Sequence, residues 1–512
     1  MARTIFTGAK VHRHDRAWGD ADDELLLENG QVVATARGDE ISSAAAAADE
    51  IVRLPGGRIL PGFFDAHLHV DQGGRLLASL QLLDKSTKRE VLESVAEAAK
   101  SGDGWLIGIG LSEHAWPTLA ERDQVCPNRP LLLHARDYHT VLINSRAIEQ
   151  IGLTNETPLP EGGWQELDEA GFPRGILCEN AARWIEQFLP EETPEQLRGL
   201  MRKAMRHLLS LGITGVSDAG DPASYDNGWL WLEENEGLPL HVESWLRCVH
   251  FGDDCIAQPR RMQGKLNRFR LKLFIDGALG SRTAWMKHEY ADKPGHTSGP
   301  VPDLAVYDAF LKRGADAGWS FTVHAIGDAG VDYVAESLAQ LPARTGRHRI
   351  EHIQHVDAVS MQRMLESDLA LSVQPTHRLD DLGMLRDRVG EREKWAYPLK
   401  SLSVADRLVL GSDWPVVDPD PRRTIRAALL PRKPGEGMPD QHLTASEAVL
   451  ALTRNAARVA GFPNLGSLEP GYTADMVWLD RDPGDDPDAW PEAKVGAVWT
   501  GGTRVKRDND LI

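Results

Sequence analysis

The stretch PGFFDAHLH, residues 61–69, joins an apolar strand-like run to two histidines at its end. Side chains alternate between two faces along an extended chain, so His67 and His69 point the same way and can bind one ion together. This spacing alone is weak evidence, because histidines fill many other roles in proteins. Its weight depends on whether other strand-like runs end in residues of the same kind.

The composition is that of an acidic globular protein. Its 512 residues exceed one simple domain, and its hydrophobic fraction of 42% supplies a core. The formal net charge of −19 and the lack of a basic, aromatic-rich cluster argue against nucleic acid as a partner. No apolar run approaches ~20 residues and the first residues show no secretory pattern, so we expect no membrane association and a cytoplasmic location.

The middle of the chain alternates strand-like runs with longer helical patterns, which predicts βαβ units and a parallel sheet in an α/β protein. Eight such runs are present, the number that a (β/α)8 barrel of the TIM type requires. The predicted strands are residues 58–64, 213–218, 240–249, 271–276, 321–326, 349–353, 371–374 and 408–413.

Two further regions complete the predicted domain organisation. The gap of about 150 residues after the first strand is too long for an ordinary crossover, so we interpret residues of about 75–200 as an insertion that covers the active site. Short strand-like runs at both ends predict a small β domain of residues 1–56 and 463–512, which leaves 57–462 for the barrel. Two independent edge hairpins would give the same pattern.

Ligand-type residues do end the other runs. Active sites of barrel enzymes collect at the C-terminal ends of the strands, where His324, His352 and Asp413 follow apolar runs. Lys272 lies opposite the aliphatic face of its run and would point into the barrel, and a salt bridge with Asp276 or another acid is the ordinary alternative. Each histidine alone is more often a core residue, and Asp413 could cap a helix. Together these residues predict one convergent site.

The residue types indicate the chemistry. Neutral imidazoles and carboxylates suit a divalent ion such as Zn²⁺. A lysine carboxylated by CO₂ becomes an anionic oxygen donor, and two ions about 3.5–4 Å apart can then share a hydroxide whose pKa falls toward about 7. Asp413 can take a proton during attack and later deliver it to a leaving nitrogen. The sequence therefore predicts a metal-dependent hydrolase with one or two ions.

Residues 61–69 and four further segments together resemble a known family: LKLFIDGALGSRTA, VHAIGD, RIEHIQH and VLGSDWP follow in that order. They resemble the amidohydrolase superfamily and, within it, the amidohydrolase 3 family, which contains YtcJ-like proteins and N-substituted formamide deformylases. GSLEPGYTADMVWLD and HTVLINSRAI match as well, so the resemblance covers nearly the whole chain. It is specific for the family and not for a substrate.

The resemblance implies a barrel with a small β-sandwich formed from both termini. It also implies that His139, in the insertion, reaches the substrate carbonyl as a catalytic residue. For the six residues at the strand ends it implies these roles: His67 and His69 on the more buried ion, His324 and His352 on the second, Lys272 as the carboxylated bridge, and Asp413 as ligand and general base.

Substrate contacts are the least constrained part of the prediction. Arg174 replaces the usual threonine of a Pro-Thr-Gly segment and could favour an anionic substrate, although a solvated loop cation would look the same. The tryptophans among the candidates could equally be packing residues, and the charged ones could form surface ion pairs. The candidate substrate contacts are Glu179, Arg282, Trp285 and Trp414.

The sequence therefore predicts hydrolysis of a non-peptide C–N bond, in an amide or cyclic amide of a small organic molecule, by a metal-activated hydroxide. An esterase, a lactonase or a deaminase would use the same site, and a non-catalytic scaffold of the same fold is a further alternative. A homodimer is compatible with the sequence and is not specified by it.

Overall fold

A computed structural model describes residues 3–44, 48–135, 140–220, 222–248, 250–343 and 345–505. The chain divides into two compact units, the first made of Met1–Gln72 and Met201–Ile512 and the second of Gly73–Leu200. The second unit has nearly the same range as the insertion predicted at about 75–200, and its covering of the active site stays a prediction. Within the described ranges, no helix is both long enough and apolar enough to cross a membrane.

The first unit begins with a β-rich stretch. Its turn at Asn29 and Gly30 has φ angles of 51° and 75°, the left-handed conformation that a tight hairpin needs. The elements are β1 (Arg3–Val11), β2 (Asp22–Glu28), β3 (Gln31–Ala36), α1 (Glu40–Ala44), β4 (Glu50–Arg53), β5 (Arg58–Pro61), β6 (Phe63–Leu68) and α2 (Val70–Ala78).

The second unit has a six-stranded sheet with a core on each face. Leu131 and Leu133 pack into one core and Leu132 into the other, as the two-residue period of a strand requires. Its elements are β7 (Leu80–Gln81), α3 (Lys88–Ala98), β8 (Leu106–Leu111), α4 (Leu119–Val125), β9 (Leu131–Ala135), β10 (Thr140–Ile143), α5 (Ser145–Ile151), β11 (Trp164–Leu167), β12 (Pro173–Cys178) and α6 (Asn180–Trp184), in the sheet order β11-β12-β10-β9-β8-β7. Helix α7 (Pro194–Ser210) leads back to the first unit.

The long α/β part of the first unit follows. Its elements are β13 (Ile213–Asp218), α8 (Pro222–Ser224), α9 (Trp231–Asn235), β14 (His241–Ser244), β15 (Leu246–Arg247), α10 (Asp253–Ala257), β16 (Arg261–Gln263), β17 (Leu266–Arg268), β18 (Arg270–Phe274), α11 (Leu304–Asp316), β19 (Ser320–Ala325), α12 (Asp328–Ala339), β20 (Arg349–His352), α13 (Ala358–Glu366), β21 (Ala370–Val373), α14 (Pro375–Asp381), α15 (Leu385–Val389), β22 (Leu408–Leu410) and α16 (Pro421–Leu429).

The parallel strands lie in two sheets that adjoin at two places. One has the order β16-β17-β14-β13-β6 and the other the order β15-β18-β19-β20-β21-β22. Only Trp245 separates β14 from β15, and Leu68 at the end of β6 forms a parallel bridge with Trp414 beyond β22. Each of the eight predicted strands overlaps a strand of these sheets. Their carboxyl ends therefore lie on one side, as parallel pairing demands.

The first predicted strand, residues 58–64, is wrong in one respect, because the structure splits it between two sheets. Residues 58–61 form β5, which pairs with β1, and only β6 joins the parallel strands. Gly62 separates the two, and a Cβ there would lie 2.2 Å from Thr214 Oγ1. The chain therefore passes from one sheet to the other where only glycine fits.

The C-terminal part of the chain adds strands to the sheet that contains β1–β5, which we call the terminal sheet. Its elements are α17 (Ala445–Ala451), α18 (Arg454–Val459), β23 (Met476–Leu479), α19 (Ala489–Glu492), β24 (Val495–Thr500) and β25 (Thr503–Val505). They give the sheet order β25-β24-β23-β5-β1-β2-β3, with β4 paired to β1. Phe6 and Trp499, from opposite ends of the chain, meet edge to face with ring centroids 5.1 Å apart. Strands from both termini thus share one sheet, which extends to Pro61, beyond the boundary predicted at residue 56.

Candidate metal centre

Three of the predicted ligands meet at the carboxyl ends of the parallel strands. His67 belongs to β6, His352 ends β20 and Asp413 follows β22, and one ligand atom from each lies within 4.8 Å of the others. Asp413 Oδ1 is 3.1 Å from His69 Nε2 and 3.5 Å from His67 Nε2. Buried imidazoles around a carboxylate form a donor set that fits a divalent ion. The strand-end pattern of the sequence is therefore a real spatial cluster.

The rings of His67 and His352 are held in defined orientations. His67 Nδ1 lies 2.7 Å from Glu351 Oε2, and His352 Nδ1 lies 2.8 Å from Gln374 Oε1. In both rings the bonded Nδ1 leaves Nε2 as the nitrogen for an ion. Burial, with the charge of Lys272 adding to it, lowers the pKa of His67 to about 4, so the imidazole is neutral at pH 7 and able to ligate.

Glu351 connects the candidate ligands to a buried ion pair. Its carboxylate accepts a hydrogen bond from Thr322 Oγ1 at 2.6 Å and lies 2.5 Å from Arg349 Nε. Burial alone would raise the pKa of Glu351, but Arg349 and His67 hold it well below its usual range. A charged carboxylate behind an imidazole fixes the tautomer and strengthens the nitrogen as a ligand.

His324 lies beside the cluster and is not one of the three residues within 4.8 Å. Its ring centroid is 4.5 Å from that of His352, and its Nε2 lies 3.1 Å from the carbonyl oxygen of Gly277. Burial lowers the pKa of His324 to about 4, so this imidazole is also neutral at pH 7. The free ring nitrogen is then Nδ1.

Lys272 is buried on the same side of the strands. It is 1% exposed, and its Nζ has no hydrogen-bond partner among the described residues. Burial lowers its pKa to about 8. The ordinary alternative was an ion pair with Asp276 or another acid. Asp276 instead accepts hydrogen bonds from the backbone N–H groups of Trp285, Ile326 and Gly327, and no ion pair of Lys272 is found among the described residues.

Two site residues have backbone conformations that cost free energy. His352 has φ 74° and Asp413 has φ 62°. Left-handed φ angles at residues other than glycine store about 1–3 kcal/mol of strain and are enriched at functional sites. Both strained residues lie where their strands stop, which agrees with a functional site at these strand ends.

Asp65 links two strand ends. Its Oδ1 accepts hydrogen bonds from the backbone N–H groups of His67 and Ser412, both at 3.0 Å. Burial raises the pKa of Asp65 to about 7. His355, three residues beyond His352, is also buried, and burial lowers its pKa to about 3.

The sequence interpretation missed His377, in the first turn of α14. Its Nε2 lies 3.9 Å from Asp413 Oδ2, and its ring stacks on His352 with centroids 6.1 Å apart and an angle of 12° between the planes. The same strand-end criterion could have found it, because it follows the predicted strand 371–374 by three residues. Gln374 could have been found in the same way.

The structure gives local contacts to three predicted substrate contacts of the first unit. Trp414 is 2% exposed and packs on His207, with ring centroids 5.7 Å apart. Trp285 is half-buried, and Arg282 pairs with Asp292 at 2.8 Å. These contacts favour packing and loop anchoring. A role with substrate stays a prediction for all three.

The predicted contacts in the second unit are described within that unit only. Glu179 is exposed and has φ 54°, and Arg174 is exposed and pairs with Glu166 at 2.9 Å. His139, the predicted catalytic residue of the insertion, lies outside the described residues. Their roles stay predictions.

Parallel strands whose carboxyl ends gather buried imidazoles and a carboxylate define an α/β protein with a candidate metal site. Residues 50–506 match the profile described as the Amidohydrolase family. The chain therefore belongs to the amidohydrolase family, as the ordered motifs predict.

Named relatives and a solved structure agree with this membership. The chain is 29% identical to Protein LONG AFTER FAR-RED 3 of Arabidopsis thaliana, over 99% of this chain and 92% of that one. It is 28% identical to the putative amidohydrolase YtcJ of Bacillus subtilis (91% and 92% covered) and 27% identical to the N-substituted formamide deformylase of Arthrobacter pascens (90% and 90%). An uncharacterised metal-dependent hydrolase of Pyrococcus furiosus superimposes with a TM-score of 0.78 at 28% identity, covering 94% of this chain and all of the other.

Proposed function

We propose that the protein hydrolyses a non-peptide C–N bond, in an amide or cyclic amide, of a small organic molecule. The observation that carries this proposal is the cluster of His67, His352 and Asp413, whose ligand atoms lie within 4.8 Å of one another. The Arthrobacter pascens relative is named a deformylase of N-substituted formamides, which are small amides. Family membership supports hydrolysis, and that name supports the choice of bond.

The proposed architecture is a (β/α)8 barrel with its site at the carboxyl ends of the strands. Two observations support it. A single residue separates β14 from β15, and Leu68 forms a bridge with Trp414. At these two places the two open sheets would join into one closed sheet. We extend the proposal to a small β-sandwich domain formed from the termini and to an insertion that restricts access to the site.

The proposed cofactor is one or two divalent ions, with Zn²⁺ preferred because the donors are imidazoles and a carboxylate. When bound, such an ion lowers the pKa of a water molecule and polarises a carbonyl group. The proposed ligands are His67, His69, His324, His352, Asp413 and an N-carboxylated Lys272.

Asp413 is the proposed proton carrier. Burial would raise its pKa, but His67 and His69 hold it well below the usual range, so the group is a carboxylate at pH 7. Its two oxygens face different partners, with Oδ1 near His69 and Oδ2 towards His377. In this proposal Asp413 accepts a proton from the attacking water and delivers it to the leaving nitrogen.

The remaining roles are proposed from the sequence alone. His139 would reach the substrate carbonyl, and the substrate would contact Glu179, Arg282, Trp285 and Trp414. The proposed partner is a small molecule rather than nucleic acid or a membrane. We also propose a cytoplasmic location. A homodimer is compatible with the sequence.

The test is a panel of amides, cyclic amides, esters, lactones and aminated heterocycles assayed with enzyme purified without chelator and analysed for metal. We expect amide turnover, at least one ion per chain, and loss of turnover in Asp413→Asn but not in Asp418→Asn, which removes an exposed carboxylate five residues away. Ester turnover a hundredfold above amide turnover would contradict the proposed bond. Ammonia released from the heterocycles would favour a deaminase, and clearly substoichiometric metal would favour a scaffold.

A further inference from the structure

Arg349 is a fully buried cation that lies outside the predicted ligand set. It is the first residue of β20, three residues before His352, and its side chain is 0% exposed. Its Nη2 donates to the carbonyl oxygen of Ala66 and, at 2.9 Å, to Ser372 Oγ. Ala66 belongs to β6 in one sheet, and Ser372 belongs to β21 in the other. One guanidinium therefore connects the two sheets of parallel strands.

Both strands that Arg349 reaches carry parts of the candidate metal centre. Ala66 directly precedes His67, so the acceptor carbonyl group belongs to the peptide unit that leads into this ligand. Ser372 lies two residues before Gln374, whose side chain orients the other ligand ring. Because side chains alternate along a strand, residues two positions apart share one face. The guanidinium thus fixes the strands that carry His67 and Gln374 relative to each other.

The same guanidinium holds the carboxylate behind His67. Arg349 Nε lies 2.5 Å from Glu351 Oε1, and Arg349 Nη2 lies 3.3 Å from Glu351 Oε2. Oε2 is also the oxygen that lies 2.7 Å from His67 Nδ1. A carboxylate fixed in this way determines the orientation of the imidazole in front of it. The contacts of Arg349 therefore lead directly to the ring of one predicted ligand.

The arrangement of these acceptors suits an arginine. A guanidinium is planar and carries five N–H donors in fixed directions. Arg349 reaches a backbone oxygen, a hydroxyl group and a carboxylate at once, and its Cζ lies 4.9 Å from the ring centroid of Trp245. That ring is 5.0 Å from the ring of His67. A lysine ammonium is a point charge that could stay beside Glu351 and could not make all three contacts.

A second buried ion pair in the same unit provides a comparison. Arg270 Nε lies 2.9 Å from Glu243 Oε1, and both side chains are 0% exposed. Ser217 Oγ donates to Glu243 Oε2 at 2.7 Å, as a hydroxyl group also contacts the first pair. Among the described contacts, neither Arg270 nor Glu243 bonds to a predicted metal ligand. The two pairs are alike in burial and charge, and only the pair of Arg349 and Glu351 contacts a ligand.

We propose that Arg349 is a positioning residue of the candidate metal centre, which holds Glu351 in line with His67 Nδ1 and so keeps His67 Nε2 directed at the cluster. Ala66 and Ser372 are its anchors. The inference rests on the proposed function, because it requires an ion at the cluster. It adds the group that holds the ligand-bearing strands of the two sheets in register.

Titration of the metal-free protein with Zn²⁺, in competition with a chromophoric chelator, tests the proposal without an activity assay. Arg349→Lys keeps the charge beside Glu351 and should weaken Zn²⁺ binding about 10- to 100-fold. The control Arg270→Lys makes the same change in the other pair and should leave the affinity within about twofold. The visible spectrum of the Co²⁺-loaded protein should change in Arg349→Lys only, because it depends on the directions of the ligands. Wild-type affinity in Arg349→Lys, or equal losses in both variants, would overturn the proposal.

A double-mutant cycle tests whether Arg349 acts through Glu351. In the Glu351→Gln background, Arg349→Lys should weaken Zn²⁺ binding by no more than about threefold further, because the carboxylate that it positions is absent. If the two effects multiply in full, the residues act independently and the proposed route through Glu351 is wrong.

The same titration distinguishes a failure of this inference from a failure of the proposed function. If the wild type binds no Zn²⁺, the proposed metal centre fails and the inference fails with it. If the wild type and Arg349→Lys bind Zn²⁺ equally, only the inference fails. If Arg349→Lys loses affinity but the wild type hydrolyses no amide, the choice of bond fails and the positioning role stands.

Thermal unfolding of each variant is measured first, because a variant that does not fold cannot report on metal affinity. If Arg349→Lys does not fold, Ser372→Ala replaces it, since this change removes one anchor of the guanidinium. Ser372→Ala should weaken Zn²⁺ binding at least about threefold. The control Ser217→Ala removes the corresponding hydroxyl group of the other pair and should not weaken it. Equal Zn²⁺ affinities of these two variants would then overturn the proposal.

Discussion

At the residue scale, Lys272 is the group whose chemistry depends most on burial. Its pKa of about 8 leaves a reactive fraction of free amine near pH 7, and its Nζ has no hydrogen-bond partner among the described residues. If the amine is carboxylated, Lys272→Ala should remove the bridge between two ions. We expect metal content to fall towards one ion per chain and activity to drop more than about a hundredfold. Metal analysis measures the number of ions per chain, and an amide turnover assay measures the activity.

Short carboxylic acids such as formate should restore part of the activity of Lys272→Ala, because they supply the missing bridging oxygens. The control is Lys265→Ala, since Lys265 is also partly buried, with a pKa that burial lowers, and lies outside the cluster. Full activity in Lys272→Ala, or unchanged metal content, would remove the carboxylated lysine from the proposal.

Glu351 provides a second prediction at this scale. Glu351→Gln should weaken metal binding about 10- to 100-fold, because the residue lies 2.7 Å behind the ring of His67. Glu243→Gln is a matched control, because Glu243 pairs with Arg270 at 2.9 Å and is as fully buried as Glu351. Both variants should lose about 2–4 kcal/mol of unfolding free energy. Metal titration should separate them, and equal metal affinities would assign Glu351 a structural role only.

The sequence identified site residues where a polar side chain directly ends an apolar run. His67, His352 and Asp413 meet that condition, and the structure brings them together. Glu351 was not predicted, because it lies inside the run, where a charge is tolerated only because Arg349 neutralises it.

At the element scale, short strands were predictable where apolar periodicity and turn residues agreed. Residues 213–218 form β13 with the predicted bounds. Residues 240–249 form two shorter strands instead of one, because β14 pairs with β13 and β17, whereas β15, beyond Trp245, pairs with β18. Partner changes of this kind depend on the neighbouring strands and leave no local pattern in the sequence.

The hairpin of β2 and β3 gives a prediction for a single element. Gly30 has φ 75°, and a Cβ there would lie 2.3 Å from the carbonyl oxygen of Gly501. Gly30→Ala should therefore cost about 2–4 kcal/mol of unfolding free energy, from both backbone strain and overlap. Gly38→Ala is the control, because Gly38 has φ 72° and open space around it, so only the strain of about 1 kcal/mol remains. Urea unfolding compares the two, and equal losses would show that the contact with Gly501 does not matter.

At the scale of the whole molecule, the class of fold was predictable and the long-range pairings were not. Eight strand-like runs and helical spacers predict parallel α/β structure, and every run has a strand that overlaps it. The terminal sheet is different, because its strands are separated by more than four hundred residues and two independent hairpins would have the same local pattern. Only contacts across that separation, such as the pairing of β5 with β23, distinguish the alternatives.

One such contact is the ion pair of Arg58 and Asp482. Arg58, in β5, is fully buried and donates from Nε and Nη2 to the two carboxylate oxygens of Asp482 at 2.8 and 2.9 Å. Burial would raise the pKa of Asp482, but Arg58 lowers it to about 2. Asp482→Asn leaves the guanidinium without its counter-charge and should cost about 2–4 kcal/mol of unfolding free energy at pH 7.

The pH dependence of that loss tests its electrostatic origin. Because the folded state lowers the pKa of Asp482, the stabilisation is complete above about pH 4 and disappears as the pH falls towards 2. The difference between wild type and Asp482→Asn in urea unfolding should therefore be constant from pH 7 to 5 and shrink below pH 4. Asp368→Asn, which breaks an exposed pair with Arg347, should cost less than about 1 kcal/mol at any of these values. If the loss of unfolding free energy in Asp482→Asn does not depend on pH, the contact stabilises the fold through packing and not through charge. If that loss is no larger than the loss in Asp368→Asn, the ion pair does not hold the two ends of the chain together.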